Sequence, residues 1–141
     1  LEILYYYRRH KDSMTEKTPK KVSRASLQTF QNAINRLSLE SLYPSLGHCK
    51  DQAAAKFHAC FDFGTVLVHS KYGLQTGAAC KFLEKALSLR PDSIEVASNL
   101  TVAYILSGQW EKTLPLLKLM EKAEDPKIWD LIRIIAEAYK T

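Results

Sequence analysis

His58 and Asp62 stand four residues apart and His69 lies seven beyond Asp62, a spacing that sets all three near one face of a helix. An imidazole beside a carboxylate can move a proton, and two imidazoles can each offer a lone pair to a metal. Neither chemistry has its usual companions. No HExxH run, glycine-rich phosphate loop or matched carboxylate pair accompanies these residues. Cys49, Cys60 and Cys80 contain no CxxC unit with which a compact zinc site begins. The sequence therefore predicts no catalytic residue, no metal and no cofactor, with the His–Asp face serving as a polar groove or surface. Three thiols cannot all pair within one chain. Reduced cysteines are expected, with Cys60 and Cys80 packed in helices and Cys49 exposed, in an intracellular protein of cytoplasmic or nuclear location.

A second candidate lies at the amino-terminal end. Twenty Lys and Arg against fifteen Asp and Glu give a formal charge of +5 over 141 residues, and residues 1–24 supply +4 of it. Arg8, Arg9, Lys11, Lys20, Lys21 and Arg24 have the charge to contact phosphates, and Tyr5, Tyr6 and Tyr7 have rings to stack on unpaired bases. No RNA- or DNA-reading module connects them. Residues 1–22 are read as a basic aromatic tail and linker, with direct nucleic-acid binding the lesser reading. No run reaches the roughly 18 apolar residues that a membrane span requires. Leu1–Tyr7 precedes its basic residues, the reverse of a secretory signal. The missing initiator Met is read as the mark of a processed chain or an excised fragment.

The elements that must position these side chains are all helical. Leu27, Phe30, Ile34, Leu37 and Ser41 or Leu42 step by three and four and predict an amphipathic helix over Ser23–Leu42. Tyr43–Gly47 should end it, and His48–Asp51 should form a polar turn. A second helix is expected over Gln52–Lys71, with Phe57, Phe61, Gly64 and Val68 on one side. Gly64 costs about 1 kcal/mol in an exposed helix, so close approach to a neighbouring helix should compensate. Gly73 supplies the break, and Ala78–Leu89 forms the third face before Arg90-Pro91. Asp92 is expected to cap the fourth helix with Glu95 in the reciprocal position, followed by Val96, Leu100, Ala103 and Tyr104. After Ser107-Gly108-Gln109, Trp110, Leu114, Leu117 and Met120 predict a fifth helix in which Pro115 conflicts unless it falls in the first turn. Asp125-Pro126 should open the last, with Ile128, Leu131, Ile132, Ile135 and Tyr139 along it.

These helices repeat at a period near 34: Asn99 precedes Arg133, and Leu100 precedes Ile134, by that distance. In Ile94–Lys127, Leu100, Thr101, Tyr104, Gly108, Thr113 and Leu117 resemble the tetratricopeptide family. Phe63-Gly64, Leu67, Ala79, Leu83, Ala86 and the Ala-Leu-Ser-Leu-Arg-Pro ending resemble the same family one unit earlier, with about three extra residues between its helices. A final unit has only its first helix. The resemblance covers residues 57–141, about three fifths of the chain, and residues 23–56 are read as an earlier helical or degenerate repeat region. It implies an all-α fold, a short right-handed solenoid of antiparallel helix pairs in which each pair covers the apolar face of the last.

The resemblance further implies that the first helices of successive repeats line a concave groove. That placement gives His58, Asp62, Thr65 and His69, then Glu95, Asn99, Val102 and Leu106, then Trp129 and Arg133. Asn99 and Arg133 look like two positions of a clamp for an acidic chaperone tail. Thr65, Phe61 and Trp129 depart from it, standing where an Asn, a basic residue and a Lys belong. Trp129 is read first as a cap folded onto the array and second as a partner anchor. Ile132, Ile135 and Tyr139 belong to an uncovered repeat end, which either packs back as a cap or marks a fragment boundary. The functional expectation is a non-catalytic scaffold that holds another protein in an intracellular multi-protein assembly. The alternative is an adaptor binding a peptide or acidic tail in the groove.

Overall fold

The computed structural model describes residues 19–69, 76–124 and 126–138, and every regular element among them is helical. The Tyr5–Tyr7 rings, the Gly73 break, the Asp125 cap, Tyr139 and the residues inserted between the helices of the first repeat unit, insofar as they fall at 70–75, lie outside the described residues. The chain divides into two compact units, residues 1–36 and residues 37–141. Among the described residues no helix is long and apolar enough to cross a membrane.

The first unit contributes α1, Pro19–Arg36, which opens on a proline whose missing N–H costs nothing at a helix start. The helix expected over Ser23–Leu42 thus starts earlier and stops at Arg36. Within the expected stripe Ile34 is buried, but Phe30 is 49% exposed. Helical spacing places residues on one face and does not supply what covers it.

The second unit opens with α2, Leu39–Leu42. Ser38 Oγ accepts the Ser41 N–H at 3.1 Å, and Ser41 Oγ accepts the Ser38 N–H at 3.0 Å. This reciprocal box starts a new short helix where one continuous helix was expected, because the hydroxyls satisfy donors that a continuing helix would use. A 3₁₀ turn over Pro44–His48 follows, with Leu46 buried beneath it. Asp51 Oδ1 then accepts the Ala54 N–H at 2.9 Å and caps α3, Gln52–His69.

Helices α4, Thr76–Leu89, and α5, Ile94–Leu106, come next. The cap of α5 is Ser93, not Asp92: its Oγ accepts the Val96 N–H at 3.4 Å. The helix starts one residue later than expected, so Glu95 occupies its second position and cannot make the reciprocal bond. At the other end Gly108 adopts φ +72°, with Gln109 N–H donating to Tyr104 O at 2.8 Å and Gly108 N–H to Ile105 O at 3.1 Å. That pair of bonds is a Schellman ending, which needs the left-handed residue glycine provides.

A 3₁₀ turn at Trp110–Lys112 leads into α6, Thr113–Lys122, and α7 spans Lys127–Ala138. Pro115 is the third residue of α6, inside the first turn, where its missing N–H forfeits no bond within the helix. Pro126 lies one residue before α7 instead of opening it. Along α6 the buried side chains are Thr113, Leu116 and Met120. The expected stripe of Leu114, Leu117 and Met120 shares only Met120 with them.

Each of α3 to α6 packs on its successor, α3 also touches α5, and α5 also touches α7. Helix α5 is therefore the centre, against α3, α4, α6 and α7. Val96, Ala97, Leu100, Thr101, Ala103 and Tyr104 are all buried, as suits a helix covered on several sides. On α5 the hydroxyl of fully buried Thr101 donates to Ala97 O at 2.8 Å, so its burial leaves no orphan. Helix α3 meets α4 through Phe63, whose ring stands edge-on to Phe82 at 4.8 Å, and through Gly64. A Cβ at Gly64 would lie 2.7 Å from Leu83 Cγ, which is the close approach the lone glycine requires.

Candidate functional site

The helix pairing brings part of the expected groove together. His69, the last residue of α3, and Asn99 of α5 meet with Nε2 3.3 Å from Oδ1. The contact holds when His69 Nε2 carries the proton and donates it. The amide nitrogen of Asn99 donates to Glu95 O, one turn back in its own helix, at 3.1 Å. Both ends of the Asn99 side chain are thereby engaged. Arg133 is drawn instead to Asp130 in its own helix, 3.5 Å away and well exposed. An exposed pair of this kind contributes only about 0–1 kcal/mol.

The remaining groove residues are scattered. Glu95, His58 and Asp62 are exposed, Val102 and Thr65 half-buried, and Leu106 is 54% exposed. Thr65 Oγ1 is buried without a hydrogen-bond partner among the described residues. His58 stands edge-on to the Phe57 ring at 5.1 Å, and among the described residues no hydrogen bond or ion pair joins it to Asp62. No three metal-ligating side chains cluster among the described residues. Cys49 is exposed, while Cys60 and Cys80 are buried and burial raises both thiols above their ordinary pKa. Thiols held protonated this way are poor nucleophiles.

A polar knot on the central helix was invisible in the sequence. Tyr104 Oη donates to Glu84 Oε1 at 2.6 Å, and Lys112 Nζ approaches the same oxygen at 3.6 Å. Lys112 also lies 5.3 Å from the centre of the Tyr104 ring. These three residues tie α4, α5 and the turn before α6, and no local motif links positions so far apart in the chain. Burial first, then the bond to Glu84, raises the Tyr104 pKa above its ordinary value. The phenol is thus neutral in the folded chain where it ionises in the unfolded one. Its contribution is present below about pH 10, the ordinary tyrosine value, and is lost as pH climbs from there toward the raised folded value. Tyr104→Phe should lower unfolding free energy by about 1–3 kcal/mol at neutral pH. Urea melts at pH 7 to 11 should also show a shallower alkaline fall in the variant; an unchanged midpoint would remove the knot from the energetics.

Trp129 and Leu114, the two most exposed large apolar side chains of the described second half, meet elsewhere. Leu114, Leu117, Ile128, Trp129 and Ile132 line an open groove of about 380 Å³ between α6 and α7, rimmed by Lys118, Glu121 and Glu124. Trp129 is 73% exposed and Leu114 61% exposed. Trp129 is therefore not folded onto the array as a cap, which corrects the first reading of it. Its neighbours Ile128 and Leu131 take the buried side of α7 instead. Of the stripe that the sequence predicts here, Leu114 is exposed and Leu117 half-buried, because apolar spacing alone does not separate a buried stripe from a second, more open one. No family model matches the chain, and neither a curated protein nor a solved structure matches it.

Proposed function

We propose that the chain is a non-catalytic protein-interaction scaffold within an intracellular multi-protein assembly, cytoplasmic or nuclear, built as a short right-handed solenoid of the tetratricopeptide kind. The packing order supports the solenoid. Helix α5 lies against both members of the pair α3 and α4, and α7 against both members of the pair α5 and α6. One relation thus recurs along the chain, as stacking of repeats demands. The observation that carries the scaffold reading is the gathering of Leu114, Leu117, Trp129 and Ile132 in one open groove. Contiguous apolar surface of this kind, with a tryptophan at its edge, marks protein contact sites.

The peptide-adaptor alternative draws on Asn99 and Arg133, and both are engaged within the chain, by His69 and Glu95 O and by Asp130. Co-purification from cell extract separates the two readings. Trp129→Ala should lower recovery of bound protein at least about tenfold, the loss of a hot-spot side chain. Joint Asn99→Ala and Arg133→Ala should change it by less than about threefold. The reverse pattern would transfer the function to the groove between first helices.

A further inference from the structure

Helices α6 and α7 each carry two apolar stripes. On α6, Thr113, Leu116 and Met120 are buried while Leu114 and Leu117 line the groove. On α7, Ile128 and Leu131 are buried while Trp129 and Ile132 remain open. A surface helix requires one apolar stripe, and its opposite face is ordinarily polar. Two adjacent helices turning their second stripes into one valley leave an apolar surface of the kind that another polypeptide covers.

The rim charges select which polypeptide. Lys118 and Glu121 both line the groove from α6, three residues apart on one face, so the patch carries both signs on a single helix. When two copies of such a helix lie antiparallel about a two-fold axis passing between residues 119 and 120, Lys118 of each stands opposite Glu121 of the other. Glu124, the third charge on the rim, lies past the end of α6 at Lys122 and outside this pairing. A patch whose plus meets its own minus is complementary to itself in charge.

We propose that the α6–α7 groove is a self-association surface, occupied by a second copy of this chain packed antiparallel about a two-fold axis. The proposal rests on the scaffold reading only in taking the groove as an interface. With Leu114, Trp129 and Ile132 exposed and Leu117 half-buried, each copy offers a small contact, toward or below the lower end of stable interfaces, roughly 1,200 Å² in total. The dimer is accordingly a reversible one, formed in the micromolar range and weakened by salt, since its charges sit at the rim.

Sedimentation equilibrium of the 141-residue chain from about 1 to 300 μM tests this. A monomer–dimer equilibrium is expected. Lys118→Glu should weaken it at least about tenfold by facing two carboxylates, and Glu121→Lys should do the same by facing two ammonium groups. The combined Lys118→Glu and Glu121→Lys protein restores opposite signs and should recover to within about threefold of the parent. Trp129→Ala should weaken association as strongly as either single charge reversal. All of these side chains are exposed, so circular dichroism should be unchanged throughout. A monomer across the whole range, or a dimer indifferent to the single reversals, or no recovery in the combined variant, would overturn the proposal. A monomer in which Trp129 still governs capture of a different protein sinks self-association and leaves the scaffold reading standing.

Discussion

Leu100→Ala should lower the unfolding free energy of residues 37–141 by about 2–5 kcal/mol, read as a shift in urea midpoint with an unchanged slope. Leu100 is 1% exposed on α5, the helix in contact with α3, α4, α6 and α7. Its removal leaves a cavity that several helices bound and none can close alone, because tightening toward one neighbour withdraws α5 from another. The expected loss is a large part of the 5–15 kcal/mol, roughly, that holds a domain of this size. A loss under about 1 kcal/mol would mean that α5 is not the centre of the packing.

The second large effect joins Gly64 to Leu83. Leu83→Ala should cost about 2–5 kcal/mol, since the side chain is fully buried on α4. Gly64→Ala alone combines opposing terms: a helix gains about 1 kcal/mol from the replacement, and overpacking costs about 1–3 kcal/mol. The new Cβ would stand 2.7 Å from Leu83 Cγ and 2.9 Å from its Cδ2, and a fully buried side chain has nowhere to swing. Net destabilisation is expected. In the Leu83→Ala background those two contacts vanish, and of the three nearest atoms the backbone nitrogen at 3.3 Å remains. Gly64→Ala should there become neutral or stabilising, a coupling of at least about 1 kcal/mol in the double-mutant cycle. Independent costs that simply add would show that α3 and α4 do not meet through this pair.

Gly64 shows what was legible beforehand. A lone glycine amid Phe61, Phe63, Leu67 and Val68 has no use in a helix unless something lies against it, so its context announced a close neighbour before the neighbour was known. Gly108 announced the end of α5 for the same kind of reason, a backbone angle that other residues resist. The box at Ser38 and Ser41 is not legible from the usual pattern, because serine replaces the customary glutamate in its last position. Of the candidate site, His69 and Asn99 were named among the groove residues, but their mutual bond was not foreseen. Separations of that length are bridged only by the packing of whole helices.

By itself the chain determined its helical character, most of its breaks, and the need for a small residue at Gly64, since all of these follow from dihedral limits and from neighbours within a few residues. Tertiary structure alone decided which apolar stripe of α6 and α7 faces inward, that Glu84 and Lys112 gather at the Tyr104 hydroxyl and ring, and that Arg133 turns to Asp130. The physical reason is that periodicity specifies which side chains share a face, whereas burial depends on what else arrives to cover it. On α6 two faces were eligible, and the position of α5 chose between them.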